Sequence, residues 1–295
     1  MGRAKPKAPP AGNLARPAGD FAHLAGAAIA EFRAAVLGFY EREGRTFPWR
    51  YEADPWRVFV SEAMLQQTQT HRVLPKYLAW FERFAGPREL AEAPLQAVYE
   101  AWSGLGYNSR ALRLREAARL VVERHGGALP RSEAELRALP GVGPYTARAV
   151  RAFAFGEPGA VLETNIRAAL IFHFFPDSER VGDRELEPLA LALVEGLDPR
   201  RWYYALMDYG AWLKKREANP SRRSAAYAKQ SKFDGSARQA RGAVLRALSA
   251  SGGYLPLAGL AEAAGLDPGR AEAAAASLAA EGLARYEAGG LRFAD

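Results

Sequence analysis

The chain has 295 residues, of which 49% are hydrophobic, with a formal net charge of +7 and an isoelectric point near 9.6. That length accommodates one large domain or two to three smaller ones, and the basic balance favours polyanionic partners. With no cysteine in the chain, disulfides, zinc–thiolate sites, iron–sulfur clusters and thiol nucleophiles are excluded.

The first stretch, "MGRAKPKAPPAGNLARPAG", is basic, rich in Pro, Ala and Gly, and has no apolar signal core; residues 1–20 read as a disordered arm. From about residue 24 to 235 apolar residues recur at helical spacing, as in "AIAEFRAAVLGFYERE" and "LRLREAARLVVERHG", with breaks at Gly and Pro clusters. No apolar run reaches the roughly 18 residues of a membrane helix. His23, His71, His125 and His173 lie far apart and form no metal-ligand spacing. The expected division is a helical core over 21–213, a basic linker or strap over 214–240, and a small domain over 241–295. The segment "KKREANPSRRSAAYAKQSKFDGSARQAR", with Arg222 and Arg223, reads equally as a solvated linker or a phosphate-contacting strap. In the last domain three helices precede a hairpin around Gly289–Gly290, the order of a winged helix.

Several stretches carry candidate chemistry. In "DPWRVFVSEAMLQQTQT", Asp54 caps a helix that begins at Pro55. Glu62 shares a stripe with Val58, Phe59 and Leu65. A carboxylate there is either at the edge of the stripe, reaching solvent or an arginine, or an acid of raised pKa suited to proton transfer. Gln66 and Gln67 follow, either as a polar helix face or as donors and acceptors for base edges. Tyr107 in "WSGLGYNSRA" is a packed aromatic or a stacking wedge. In "LPGVGPYTARAV", a helix over 133–139, a turn at Gly141-Val142-Gly143 and a helix opening at Pro144 form a helix–hairpin–helix over 133–152. Its free backbone N–H groups suit a phosphate. Glu163 and Asn165 in "VLETNIRAAL" sit at a helix start, where capping is the ordinary role.

Taken in order and spacing, "FPWR", "DPWRVFVSEAMLQQTQ", "WSGLGYNSRA", "LPGVGPYTARAV" and "LMDYGAWL" resemble the helix-hairpin-helix DNA glycosylase superfamily, and within it the adenine glycosylase (MutY-like) branch, over residues 45–215. The resemblance implies an all-α, two-lobed helix-hairpin-helix core with a small C-terminal winged-helix-like domain. It makes Glu62 the acid that protonates the departing base, and Gln67, with Gln66 beside it, the side chain inserted into the base stack. Tyr107 falls near the extruded nucleotide, Gly141, Val142 and Gly143 grip a phosphate, and Asn165 is an active-site asparagine. Tyr145 stands where lyase-competent relatives carry a Schiff-base lysine, which implies a monofunctional enzyme of base excision repair. The implied partner is double-stranded DNA, bound by a monomer with no membrane association, in the cytoplasm at the nucleoid.

Three departures accompany the resemblance. Glu163 stands where the family has an aspartate. The four-cysteine iron–sulfur cluster of most relatives has no ligands here, and the basic segment from 214 occupies its place. The family's C-terminal domain that reads 8-oxoguanine is replaced by the winged-helix-like segment. The expectation is therefore a cluster-free enzyme without cofactor, with room for a structural monovalent cation at the hairpin. Its substrate would be adenine opposite 8-oxoguanine or guanine. Another lesion or mismatch (uracil, thymine or a deaminated purine), and a non-catalytic DNA-binding protein of the same fold, stay open.

Overall fold

The computed structural model describes residues 26–229 and 232–295. The expected arm over 1–20 and His23 lie outside them. The described helices are α1 (Gly26–Glu43), α2 (Pro55–Leu65), α3 (Thr70–Arg83), α4 (Pro87–Glu92), α5 (Leu95–Trp102), α6 (Ser109–His125) and α7 (Glu133–Ala138), then α8 (Pro144–Phe155), α9 (Thr164–Phe174), α10 (Asp183–Val194), α11 (Pro199–Arg216), α12 (Ala237–Ala250), α13 (Leu260–Ala264) and α14 (Pro268–Ala280). Three short strands, β1 (Tyr254–Pro256), β2 (Ala284–Glu287) and β3 (Gly290–Phe293), complete the order. No described helix is long and apolar enough to cross a membrane.

The described residues divide into two compact units. One holds those up to Val58 together with Gly143–Lys229, the other Phe59–Val142 together with the described residues after Lys229. In the first unit α9 is the central element, because its sequence "TNIRAALIFHF" is apolar on nearly every side; Ile166, Ala169, Leu170 and Ile171 are fully buried. A helix without a polar face is stable only when surrounded. Phe32, Val36 and Phe39 on one stripe of α1, and Trp202, Tyr203, Leu206 and Tyr209 of α11, belong to the same core. Asp208 of α11 is buried and accepts from Arg50 on both carboxylate oxygens at 2.8 Å, and from Arg45. Burial alone would raise its pKa, but the Arg50 and Arg45 bonds and charges hold it below the ordinary aspartate range.

The second unit contains α3 to α6, with Trp80 and Trp102 buried in it, their rings edge to face at 5.8 Å. Residues 237–295 share a core with this unit instead of standing apart from 241 on. Val244, Leu248, Ala275, Leu278, Leu291 and Phe293 cluster with Leu95 and Tyr99 of α5. The Asp295 carboxylate accepts from the Leu95 N–H at 2.7 Å and pairs with buried Arg115 at 2.8 Å. The antiparallel sheet has the order β1-β3-β2, with Leu255 opposite Leu291 and Arg285 opposite Arg292. The expected hairpin turns at Ala288 and Gly289. Both have positive φ (50° and 75°), the pairing that a two-residue hairpin turn requires. Strand β1 has no signal in the sequence, since three residues ending in proline show no alternation. The expected linker loses residues at both ends. α11 runs on through Arg216, and α12 starts at Ala237 under a Ser236 cap.

Candidate functional site

Helix α2 begins as expected, with the Asp54 carboxylate accepting from the Trp56 N–H at 2.9 Å. Glu62 lies past its middle and is 6% exposed, on a helix where Val58, Phe59, Val60 and Met64 are also buried. The carboxylate is therefore inside the stripe and not at its edge, the more costly of the two placements.

The end of α2 is held in an unusual way. Gln67 has φ +53° and Tyr107 φ +48°; with Ala288 these are the described non-glycine residues of positive φ. Such backbone persists only where the surroundings enforce it. The group that brackets both is Arg110, the arginine of "WSGLGYNSRA" and none of the candidate site residues. Its buried guanidinium donates to the carbonyls of Ala63, Met64 and Gly106 and to Thr68 Oγ1 at 2.8–2.9 Å, and to Leu105 O at 3.4 Å. One side chain thus ties the last turn of α2, which leads into Gln66 and Gln67, to the loop that presents Tyr107. It also lies over the Trp102 and Tyr107 rings, at 5.0 and 5.7 Å. Burial lowers its pKa to about 10, well above neutrality, so it stays charged. A second arginine, Arg238 of α12, donates to the Tyr107 hydroxyl and lies over its ring at 5.3 Å.

The hairpin residues differ in what they require. Gly141 has φ +81°, which favours glycine, and a Cβ there would come tightly against the Arg113 side chain at 3.2 Å. Val142 is buried, and its N–H closes the turn on Leu139 O at 3.2 Å. Gly143, the N-cap of α8, has φ −91° and open space where a Cβ would stand. Nothing within the protein requires glycine there; a closely approaching partner would. Tyr145, in the first turn of α8, packs on the core of the first unit.

Glu62 belongs to the second unit and Glu163 to the first. Glu163 is the N-cap of α9, its Oε1 accepting from the N–H groups of Asn165 at 2.8 Å and Ile166 at 3.3 Å. The longer side chain thus still fulfils the capping role. Burial raises its pKa above the usual carboxylate range, against the opposing pull of the Asn165 N–H and of Lys214. Lys214 Nζ also donates to Asn165 Oδ1 at 3.2 Å, so the first lysine of the basic segment serves this corner. Behind it stands Gly210 of "MDYGAW", packed against the Asn165 backbone.

The two arginines of the basic segment separate. Arg222 is exposed. Arg223 donates to the carbonyls of Ile171, Phe175, Pro176 and Ser178 at 2.5–3.4 Å, closing the C-terminal end of α9. Next to it Val181 and Ser224 form a parallel bridge, with Val181 N donating to Arg223 O and Ala225 N to Val181 O, both at 2.8 Å. The four-cysteine cluster that the resemblance implies for this region does not fit these residues: the chain has no thiolate, and Ser221 and Ser224 are buried hydroxyls. Among the described residues no group of three or more His, Asp or Glu side chains could hold a metal ion.

A family model for HhH-GPD superfamily base excision DNA repair proteins matches residues 60–190. The adenine DNA glycosylase of Homo sapiens is 39% identical over 198 residues, which cover 63% of this chain and 36% of that protein. The chain therefore spans well under half the length of that relative. A thymine/uracil-DNA glycosylase of Methanothermobacter thermautotrophicus is 31% identical over 183 residues, 61% of this chain and 83% of that one. The solved structure of a thermostable thymine-DNA glycosylase superposes with a TM-score of 0.56 at 29% identity, covering 63% of this chain and 87% of that one. With the motifs in order and a relative matched over most of its length, the chain belongs to the HhH-GPD superfamily of base excision DNA repair proteins.

Proposed function

We propose that this chain is a monofunctional DNA glycosylase that hydrolyses the N-glycosidic bond of adenine opposite 8-oxoguanine or guanine in double-stranded DNA. The observation that carries the reading is Glu62, a buried carboxylate on the helix that leads into Gln67 and its strained, left-handed backbone. Glu62 gives a proton to the departing base as the C1′–N bond breaks. Water adds to C1′ and yields its proton to the resulting carboxylate. Positive charge develops on the sugar meanwhile, and the Glu163 carboxylate, with Asn165 beside it, answers that charge. Gln67, Gln66 and Tyr107 fill the space that the flipped nucleotide vacates. Gly141, Val142 and Gly143 hold a backbone phosphate. Tyr145 offers no amine for a Schiff base, so the product is an abasic site and the strand stays intact.

A second reading is removal of thymine or uracil, favoured by the relative and the solved structure of that specificity, each matched over most of its length. A single-turnover assay over a duplex panel separates the two. The panel holds adenine opposite 8-oxoguanine and guanine, thymine and uracil opposite guanine, and hypoxanthine, with alkali to reveal abasic sites. Release of adenine that is lost in Glu62→Gln supports the first reading, release of a pyrimidine the second. Binding without any release, in wild type and variant alike, would leave a DNA-binding protein.

A further inference from the structure

One cavity of the second unit, of about 410 Å³, runs from Gln67 and Tyr107 of the proposed site to arginines that the proposed chemistry does not use. That is the size range of small-ligand sites. Gln67, Arg72 and Tyr107 line it from the helical core, and Arg238, Gly242 and Arg246 from α12. The three α12 residues are spaced four apart, which sets them on one face. None of the described residues that line the cavity is acidic, and Arg246 is exposed. Gly242 is informative because glycine is a poor helix former. A Cβ there would touch Arg246 Nη1 at 3.4 Å, so the bare backbone lies directly beside that guanidinium.

Three guanidinium groups and the Gln67 carboxamide match the parts of a nucleotide: the arginines suit a phosphate, and the carboxamide suits the edge of a base. α14 carries a single arginine, Arg270 in its first turn, which pairs with the Asp267 carboxylate at 3.9 Å. Beyond its first turn its exposed positions are Glu272, Ala273, Ala276 and Ala280, one carboxylate and three methyl groups, which donate to neither phosphates nor base edges.

We infer that α12, and not α14, is the DNA-contacting element of residues 237–295, and that Arg238 and Arg246 hold the backbone phosphate of a nucleotide lodged in this cavity. The inference rests on the DNA reading above, though not on base removal. Its test is the affinity for a duplex with a tetrahydrofuran abasic analogue opposite guanine, which has no base to release, titrated from about 50 to 200 mM salt. Arg246→Ala and Arg238→Ala each weaken binding by about tenfold at the low-salt end. Each also reduces the slope of log affinity against log salt by about one, the double variant by about two. Arg285→Ala, which removes an exposed cation on β2, leaves the slope unchanged. Because Arg246 is exposed, its variant folds, and thermal melts confirm this for both. Equal losses for Arg246→Ala and Arg285→Ala, or slopes unchanged in both α12 variants, overturn the inference. The glycosylase reading fails separately: no base released anywhere on the panel, with an α12-specific slope change, removes that reading and keeps this one.

Discussion

A methyl group added at Gly210 would collide with the carbonyl oxygen of Asn165 and stand 2.6 Å from its carbonyl carbon. α11 and the first turn of α9 therefore touch backbone to backbone, just behind the Glu163 carboxylate. Gly210→Ala must push that turn aside. We expect a stability loss on the order of 3 kcal/mol, as for overpacked cores. We also expect base release about a hundredfold slower if the turn moves by roughly 1 Å. Thermal unfolding and single-turnover rates check this, and a wild-type rate would mean that the turn yields without moving its carboxylate.

Lys214 is expected to extend the proposed reaction, in which Glu163 acts as a carboxylate, to lower pH. Burial raises the Glu163 pKa, and the Lys214 charge pulls it back down. Without that charge the carboxyl is protonated at a higher pH. In Lys214→Met the acid limb of the single-turnover pH profile moves toward neutrality. An acid limb at its wild-type position would detach Glu163 from the rate.

Arg110 satisfies five acceptors at once. A lysine has neither the fork nor the span to do so. Arg110→Lys is expected to cost about 3 kcal/mol in urea unfolding, since buried carbonyls lose their donors. It should also speed hydrogen exchange at Gln67 and Tyr107, whose left-handed backbones lose their support. Unaltered exchange there would mean that the two conformations are fixed locally.

Arg222 and Arg223 should respond in opposite ways. Arg223→Ala strips donors from four carbonyls, and about 2–4 kcal/mol of stability is expected to go with them. Arg222→Ala, at an exposed position, should leave stability alone and reduce the salt dependence of DNA binding by about one unit of slope. Urea melts and salt titrations on both variants decide it; an Arg223 variant as stable as wild type would refute the structural role.

Acid should weaken the first unit through His173. The residue is 5% exposed, bonded at 2.7 Å to the Tyr209 hydroxyl, and burial lowers its pKa to about 4. A histidine in the unfolded chain titrates near 6.5. Between these values the unfolded chain binds the extra proton, so this contribution to stability is complete above about pH 6.5 and falls as the pH drops toward about 4. The full difference is about 3 kcal/mol. His173→Phe should show a smaller loss between neutral pH and the acid end of that window in denaturant titrations; an equal loss would assign the acid sensitivity elsewhere.

Much of this is legible in the sequence because the signals are local. The Asp54 cap, Pro144 at the first turn of α8, and the Gly141 turn are each set by residues within a few positions of one another. Glu62 is visible as a carboxylate on an apolar stripe, although the stripe alone does not tell edge from interior. Arg110 is hidden because its five partners come from two segments far apart in the chain, and no periodicity reports a guanidinium that faces carbonyls. Arg223 escapes for the same reason: in a basic run it reads as one more surface charge, while α9 needs it. Arg238 is lost to a boundary. "SARQAR" is polar enough to read as linker, and the Ser236 cap that starts α12 shows only once the helix is seen. Glu163 caps α9, the ordinary role at a helix start, and the proposed reaction calls on the same carboxylate.

The Arg223 anchor also bears on how this end of the first unit matures. Guanidinium–carbonyl bonds and a backbone bridge are complete as soon as the chain folds. They draw on one arginine side chain and on backbone groups of the chain itself. Its parts hold no sulfur, and neither an oxidant nor a thiol reductant has an atom there to act upon. The hold on the C-terminal end of α9 therefore has no thiol chemistry in it.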